Sequence, residues 1–180
     1  MTSRRTLSEM HSSGFTVIEL MIAVLLLGVL ITLAAPGFQS FIVSTRLTGQ
    51  TNDLVATLSL ARSEAAARGK TAQVCQAATA TSCSSSTTDT GWANGYIVWA
   101  DTNGNSAMAS TEIIKYIQPL DGGVSVTASN PGPIAFRAFG GLVGNSAWTF
   151  TLCSPGEVKG RQITVSATGR ATAMRIETCT

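Results

Sequence analysis

Between Phe15 and Ala35 the chain reads FTVIELMIAVLLLGVLITLAA, 21 residues that carry one charge, Glu19. As a helix rising about 1.5 Å per residue, this run spans about 30 Å, the thickness of a bilayer's hydrocarbon core. No other stretch of the 180 residues is comparably long and apolar. Arg4 and Arg5 stand against Glu9 in the short arm before it, a bias that keeps the arm cytoplasmic. The bulk of the chain is then expected on the far side of the membrane, tethered by one span.

Composition narrows what the rest can do. With 44% hydrophobic and 12% charged residues the chain is not disordered, and a net charge of +2 does not announce a nucleic-acid binder. The one histidine, His11, precedes the apolar run. No Ser-His or Cys-His nucleophile pair and no histidine-rich metal site can therefore be assembled beyond it. The expectation is a protein that is not an enzyme and needs no metal or cofactor.

Two export signals compete with the anchor. A secretory signal would be cut after small residues such as Leu33-Ala34-Ala35, but Pro36 follows directly and the apolar core exceeds the usual 7–15 residues. Ser3-Arg4-Arg5-Thr6-Leu7 has the look of a twin-arginine start, against which so apolar a core argues. Neither reading explains Glu19. A carboxylate inside a span costs up to about 2.5–3.5 kcal/mol and marks a functional position.

The segment Gly14-Phe15-Thr16-Val17-Ile18-Glu19-Leu20 resembles the processing site of type IV prepilins. The resemblance implies cleavage between Gly14 and Phe15 by a prepilin peptidase, followed by N-methylation of the new amine. That positive amine lies beside hydrocarbon, and Glu19 of an adjoining subunit, one helical turn along, can neutralise it. Each charge is costly alone in a medium without water, so the pair would fix axial register in a filament. Pro36 sits where pilins commonly carry a kinking proline.

Beyond Pro36, Leu47, Leu54, Leu58, Ala61 and Ala65 recur at spacings of seven, four, three and four, one stripe of an amphipathic helix. Arg46, Asp53, Arg62 and Glu64 fall off that stripe, and Gly69 after Arg68 is a stop signal. A helix from Phe15 to Arg68 would be about 80 Å long. The remainder reads as strands: 71–77, 95–100, 112–120, 124–128, 134–139, 148–153 and 161–167, with a weaker one at 171–176. Turns at Asp101–Asn105, Asp121-Gly122-Gly123, Asn130–Pro133 and Gly140-Gly141 separate them. Thr79–Thr90, rich in serine and threonine, is expected to be an exposed loop.

The fold class is therefore α+β, a long kinked N-terminal helix packed on an antiparallel β head as in type IV pilins. Residues 1–14 form a cytoplasmic leader that is cleaved, 15–35 the transmembrane or filament-core helix, 36–70 its amphipathic continuation and 71–180 the periplasmic head. Ala61–Ala65 (ARSEA), Gly91–Tyr96 (GWANGY), Asp101–Asn105 and Val165–Arg170 (VSATGR) resemble the minor pilin and pseudopilin H family, which includes FimU- and FimT-type minor pilins. That likeness implies a low-abundance subunit near a filament tip, priming assembly of a type IV pilus, or the H pseudopilin of type II secretion. Its partners would be other minor and major pilins or pseudopilins, the prepilin peptidase and methyltransferase, and the inner-membrane assembly platform. The localisation implied is the inner membrane, single-pass with a periplasmic head, and then the filament.

Four cysteines, Cys75, Cys83, Cys153 and Cys179, allow two disulfides in three connectivities. The family resemblance favours Cys153–Cys179, tying the tail to a strand, which leaves Cys75–Cys83 to close the serine-rich loop. Asp101-Thr102-Asn103-Gly104-Asn105 with Glu112 nearly fits a calcium loop, but Ser106 replaces the required glycine and strands replace the flanking helices. A polar hairpin turn accounts for the same residues without an ion.

From Arg137 onward, Arg137, Lys159, Arg161, Arg170 and Arg175 face only Glu157 and Glu177. Between Thr71 and Phe136 the sign reverses, with Lys115 against Asp89, Asp101, Glu112 and Asp121. FimT-type pilins are linked to DNA uptake through a Gly-Arg-x-Arg motif, of which Gly169-Arg170-Ala171-Thr172 keeps only the first arginine. Weak DNA binding by Arg161, Arg170 and Arg175 would need Arg175 to stand in for the second. Charges guarding an edge strand are the plainer account of the same residues.

Overall fold

The computed structural model describes residues 14–85, 90–157 and 159–179, except for the side chains of residues 33–37. It divides into two units, one ending at Gln39 and the other running from Ser40. Helix α1 (Val17–Arg68) supplies the described helix of the first unit and opens the second.

Among the described side chains of the first unit, the helix has no covered side. Leu20, Met21, Leu25, Leu26 and Leu30 each expose more than half of their surface. A helix apolar all round is stable only when something apolar surrounds it. Among the described residues no helix is long and apolar enough to cross a membrane. The side chain of Pro36 lies outside the described residues, and the expected kink with it.

In the second unit α1 has a single buried stripe. Leu47, Leu54, Leu58, Ala61 and Ala65 are all buried, as the seven-four-three-four spacing requires. Thr48 and Thr51, which border the stripe, donate their hydroxyls to the carbonyls of Ser44 (2.8 Å) and Leu47 (2.7 Å), so polar groups enter without loss. The helix closes in a Schellman motif. The N–H of Gly69, at φ +62°, bonds the carbonyl of Ala66, and that of Lys70 reaches Ala65.

Nine strands follow among the described residues: β1 (Ala72–Thr79), β2 (Ser82–Cys83), β3 (Tyr96–Ala100), β4 (Ile113–Ile117), β5 (Ser125–Ala128), β6 (Ile134–Phe136), β7 (Trp148–Cys153), β8 (Gly160–Val165) and β9 (Ala171–Ile176). One sheet runs β2-β1-β3-β4 with β6 also paired to β1, and the other runs β5-β7-β8-β9. Every pairing is antiparallel. In β7 the alternation buries Trp148, Phe150 and Leu152, and in β8 it buries Arg161, Ile163 and Val165. The apolar side chains among these meet the α1 stripe, Trp92 and Phe136 in one core, where Trp92 stands edge-on to Phe150 at 5.0 Å.

Two expectations need correction. The loop Thr79–Thr90 is not wholly exposed, since Ser82–Cys83 pairs with β1 and is half-buried, drawn in by Cys75. The strand expected over 134–139 stops at Phe136, because Gly140 takes φ +85° and the turn leaves Phe139 exposed.

Candidate functional site

The amino-terminal segment is built around Thr16. Gly14 and Phe15 are exposed and precede the helix, so the peptide bond between them is accessible. The carbonyl of Thr16 accepts the N–H of Leu20 at 3.1 Å, and its hydroxyl accepts the N–H of Glu19 at 3.3 Å. Thr16 is thus the helix N-cap, and the signal that reveals it is the Thr-x-x-Glu spacing with Glu19. Glu19 lies in the first turn, where the helix dipole favours a negative charge. Its carboxylate has no ion-pair partner among the described residues.

Both disulfides lie in the head. Cys75 is bonded to Cys83 and Cys153 to Cys179, with Cα atoms 5.7 and 5.8 Å apart. Gly160 gives the second bridge its room. A Cβ there would stand 2.6 Å from Cys179 Sγ and 2.7 Å from the Leu152 carbonyl.

The Asp101–Glu112 loop is organised by its own backbone. Asp101 Oδ1 accepts the N–H groups of Gly104 (2.8 Å) and Asn105 (3.1 Å), and Oδ2 accepts that of Ser106 (3.0 Å). Glu112 Oε2 accepts the N–H of Ala109 at 3.1 Å, and Oε1 receives Thr102 and Asn103. Donors that converge on all four carboxylate oxygens would oppose a cation in the same place. The Ala109 N–H, then the Thr102 hydroxyl, hold the Glu112 carboxyl below its ordinary range against the opposing effect of burial. Among the described residues no three metal-ligating side chains gather.

The three arginines singled out for phosphate contact do not form one patch. Arg161 and Arg175 are directly opposite each other in the β8–β9 pair. Arg161 is only 9% exposed, close under the surface, on the inward face with Ile163 and Val165. Its Nη2 donates to Thr48 Oγ1 at 2.9 Å and its Nη1 to the Gly160 carbonyl at 3.1 Å. Burial, with Arg175 opposite, pulls the Arg161 guanidinium below its ordinary value. Arg170 stands in the turn at the other end of the hairpin, five residues from Arg175, or about 16 Å of strand.

Arg170 instead lines a groove of about 400 Å³ with Arg62, Ser59, Ser63 and Phe139. Reading Arg62 only as a charge off the apolar stripe missed its second role. It is half-buried, and its Nε donates to the Gly140 carbonyl at 3.0 Å, joining α1 to the Gly140 turn.

The family model described as type II transport protein GspH matches residues 50–169, and that of the prokaryotic N-terminal methylation motif matches residues 10–35. No curated protein matches the chain. Two crystal forms of the type IV minor pilin FimU of Pseudomonas aeruginosa share the fold, each at 21% identity. One gives a TM-score of 0.59 over 78% of this chain and 99% of FimU, the other 0.55 over 74% and 100%. With the GspH model spanning most of the chain and the methylation motif lying over its apolar start, the protein belongs to the GspH family of type IV pilin-like proteins.

Proposed function

We propose that the chain is a minor pilin of a type IV pilus, made as a prepilin, cut between Gly14 and Phe15 and N-methylated on Phe15. Before assembly it is held in the inner membrane by residues 15–35, with its head in the periplasm. The assembly platform then moves it into a filament near the tip, where it primes polymerisation with other minor pilins. The observation that carries this reading is the lone carboxylate, Glu19, in the exposed first part of α1, residues 17–32, which carries no other charge and starts one residue after Thr16. Alone it is costly in hydrocarbon, whereas the new amine of an adjoining subunit supplies the missing charge. Nothing in this function requires a reaction catalysed by the chain itself.

The description of the matching family model favours a second reading, the H pseudopilin of a type II secretion system. Both machines use the same anchor chemistry. The FimU fold and the two disulfides support the pilus instead.

Intact mass and amino-terminal sequencing of protein from membranes, with and without prepilin peptidase, test the processing step. The expected product starts at N-methylated Phe15 only when the peptidase is present. An uncut Met1 in both samples would overturn the prepilin reading. Deleting the gene then separates the machines, by loss of surface pili or loss of secreted proteins.

A further inference from the structure

The Arg161–Arg175 pair has an electrostatic problem that the head itself does not solve. Two guanidinium groups directly opposite on neighbouring strands repel each other, and one of them is covered. Among the described residues neither has a carboxylate within ion-pair distance. The adjoining Lys159 is matched by Glu177 at 3.0 Å, so the surplus charge belongs to the two arginines. Arg161 uses two of its five N–H donors on Thr48 and Gly160, which leaves three to spare.

Cavities flank the pair on both sides. The smaller, about 90 Å³, is bounded by Ser44, Leu47, Lys159 and also Glu157, a carboxylate that already offsets positive charge there. The larger, about 200 Å³, is lined by Thr48, Thr51, Asn52, Ala173, Met174 and both arginines, with no acidic residue. The hydroxyl protons of Thr48 and Thr51 are committed to α1 carbonyls. Donors available to a ligand are therefore the two guanidiniums and the Asn52 amide. Such a set suits a planar or tetrahedral oxyanion, which two arginine forks can hold at once.

We propose that Arg161, Arg175 and Asn52 form an oxyanion site between α1 and the β8–β9 hairpin. The oxyanion is either a free inorganic anion or a carboxylate side chain presented by another pilin subunit, and both supply the same chemistry. A nucleic-acid strand fits less well, because Arg161 is covered and Arg170 stands at the other end of the hairpin, so the arginines do not line up as a run of phosphate contacts. The site does not depend on how the amino terminus is processed, so it stands or falls apart from the prepilin reading.

Thermal unfolding of the full chain in detergent, in sodium phosphate against sodium chloride of equal ionic strength, tests it. Phosphate at several times its dissociation constant should raise the Tm by about 3 °C over chloride. The exposed Arg175→Gln variant should lose that shift, and Arg170→Gln should keep it. Arg161→Lys, which retains the charge but not the fork, should weaken phosphate binding at least tenfold. Equal Tm in the two salts, or an undiminished shift in Arg175→Gln, would overturn the proposal. So would a shift produced by duplex DNA and not by phosphate.

The two sources are separated by co-purifying the chain with pilins expressed beside it. Saturating phosphate, but not matched chloride, should release those pilins if a subunit carboxylate fills the site. Release by neither salt, with the Tm shift intact, assigns the site to a free anion.

Discussion

Thr102 gives both its backbone N–H and its hydroxyl to a single oxygen of Glu112, each at 2.9 Å. With Ala109 on the other oxygen, the carboxylate closes the loop that joins β3 to β4. Its pKa in the folded chain is held below the ordinary 4.5. The stability it contributes is therefore complete above that value and is lost as pH falls through the lower folded value. Glu112→Gln should lower the Tm by several degrees at pH 6–7, with the gap to wild type closing in acid. Tm measured from pH 7 to pH 3 checks it, and a gap that stays constant would show that the charge is irrelevant.

Tyr96 gives the opposite sign at the alkaline end. Its hydroxyl is buried, and Thr57, the one group that would lower its pKa, stands near without forming a hydrogen bond. Burial, then the charge of Asp53, push the phenol up to about 12. The unfolded chain ionises first, so about 2–3 kcal/mol should drain away between pH 10 and 12. Tyr96→Phe should abolish that loss and, at pH 7, be neutral or stabilising by up to about 1 kcal/mol. Urea unfolding at pH 7 and pH 11 measures both.

What was legible in the sequence followed from periodicity. The five apolar positions of α1 from Leu47 to Ala65 are the ones buried, and the expected strand at 148–153 matches β7 because Trp148, Phe150 and Leu152 alternate. The glycine after Arg68 marked the helix end for a stereochemical reason, its φ of +62°. Less legible were features set by tertiary partners. Arg161 continues the Ile163–Val165 alternation inward, but its charge points to a surface role, and only the Thr48 hydroxyl beneath it accounts for its burial. Arg62 likewise gave no sign of the Gly140 carbonyl, 78 residues away. β2 is only two residues long and is held by a disulfide, so no period could reveal it.

Gly169 and Gly144 separate backbone strain from collision. Both have positive φ, +79° and +85°. A Cβ at Gly144 meets nothing within 4 Å, whereas at Gly169 it would fall on the Gly140 carbonyl oxygen and close to Arg62. Gly144→Ala should therefore cost about 1 kcal/mol, the left-handed penalty alone. Gly169→Ala should cost at least about 3 kcal/mol, since backbone must move and the Arg62 hydrogen bond with it. Similar denaturation midpoints for the two variants would mean that the turn gives way easily.

The Cys153–Cys179 bridge ties the C-terminal tail back to β7. β9 is the outer strand of its sheet and shows mostly exposed residues, so it buries little apolar surface of its own. Its hold on the head comes from pairing with β8 and from this bridge, which spans 26 residues of sequence. Closing a loop of that size removes unfolded-state entropy worth about 3–4 kcal/mol. The double variant Cys153→Ser, Cys179→Ser should lose about that much stability, and the amides of β9 should exchange faster than those of β7. Hydrogen exchange resolved by strand makes the distinction. Uniform acceleration across the sheet would mean that the bridge acts only on the unfolded chain, whereas loss confined to β9 would mean that it also pins the edge strand on which Arg175 is carried.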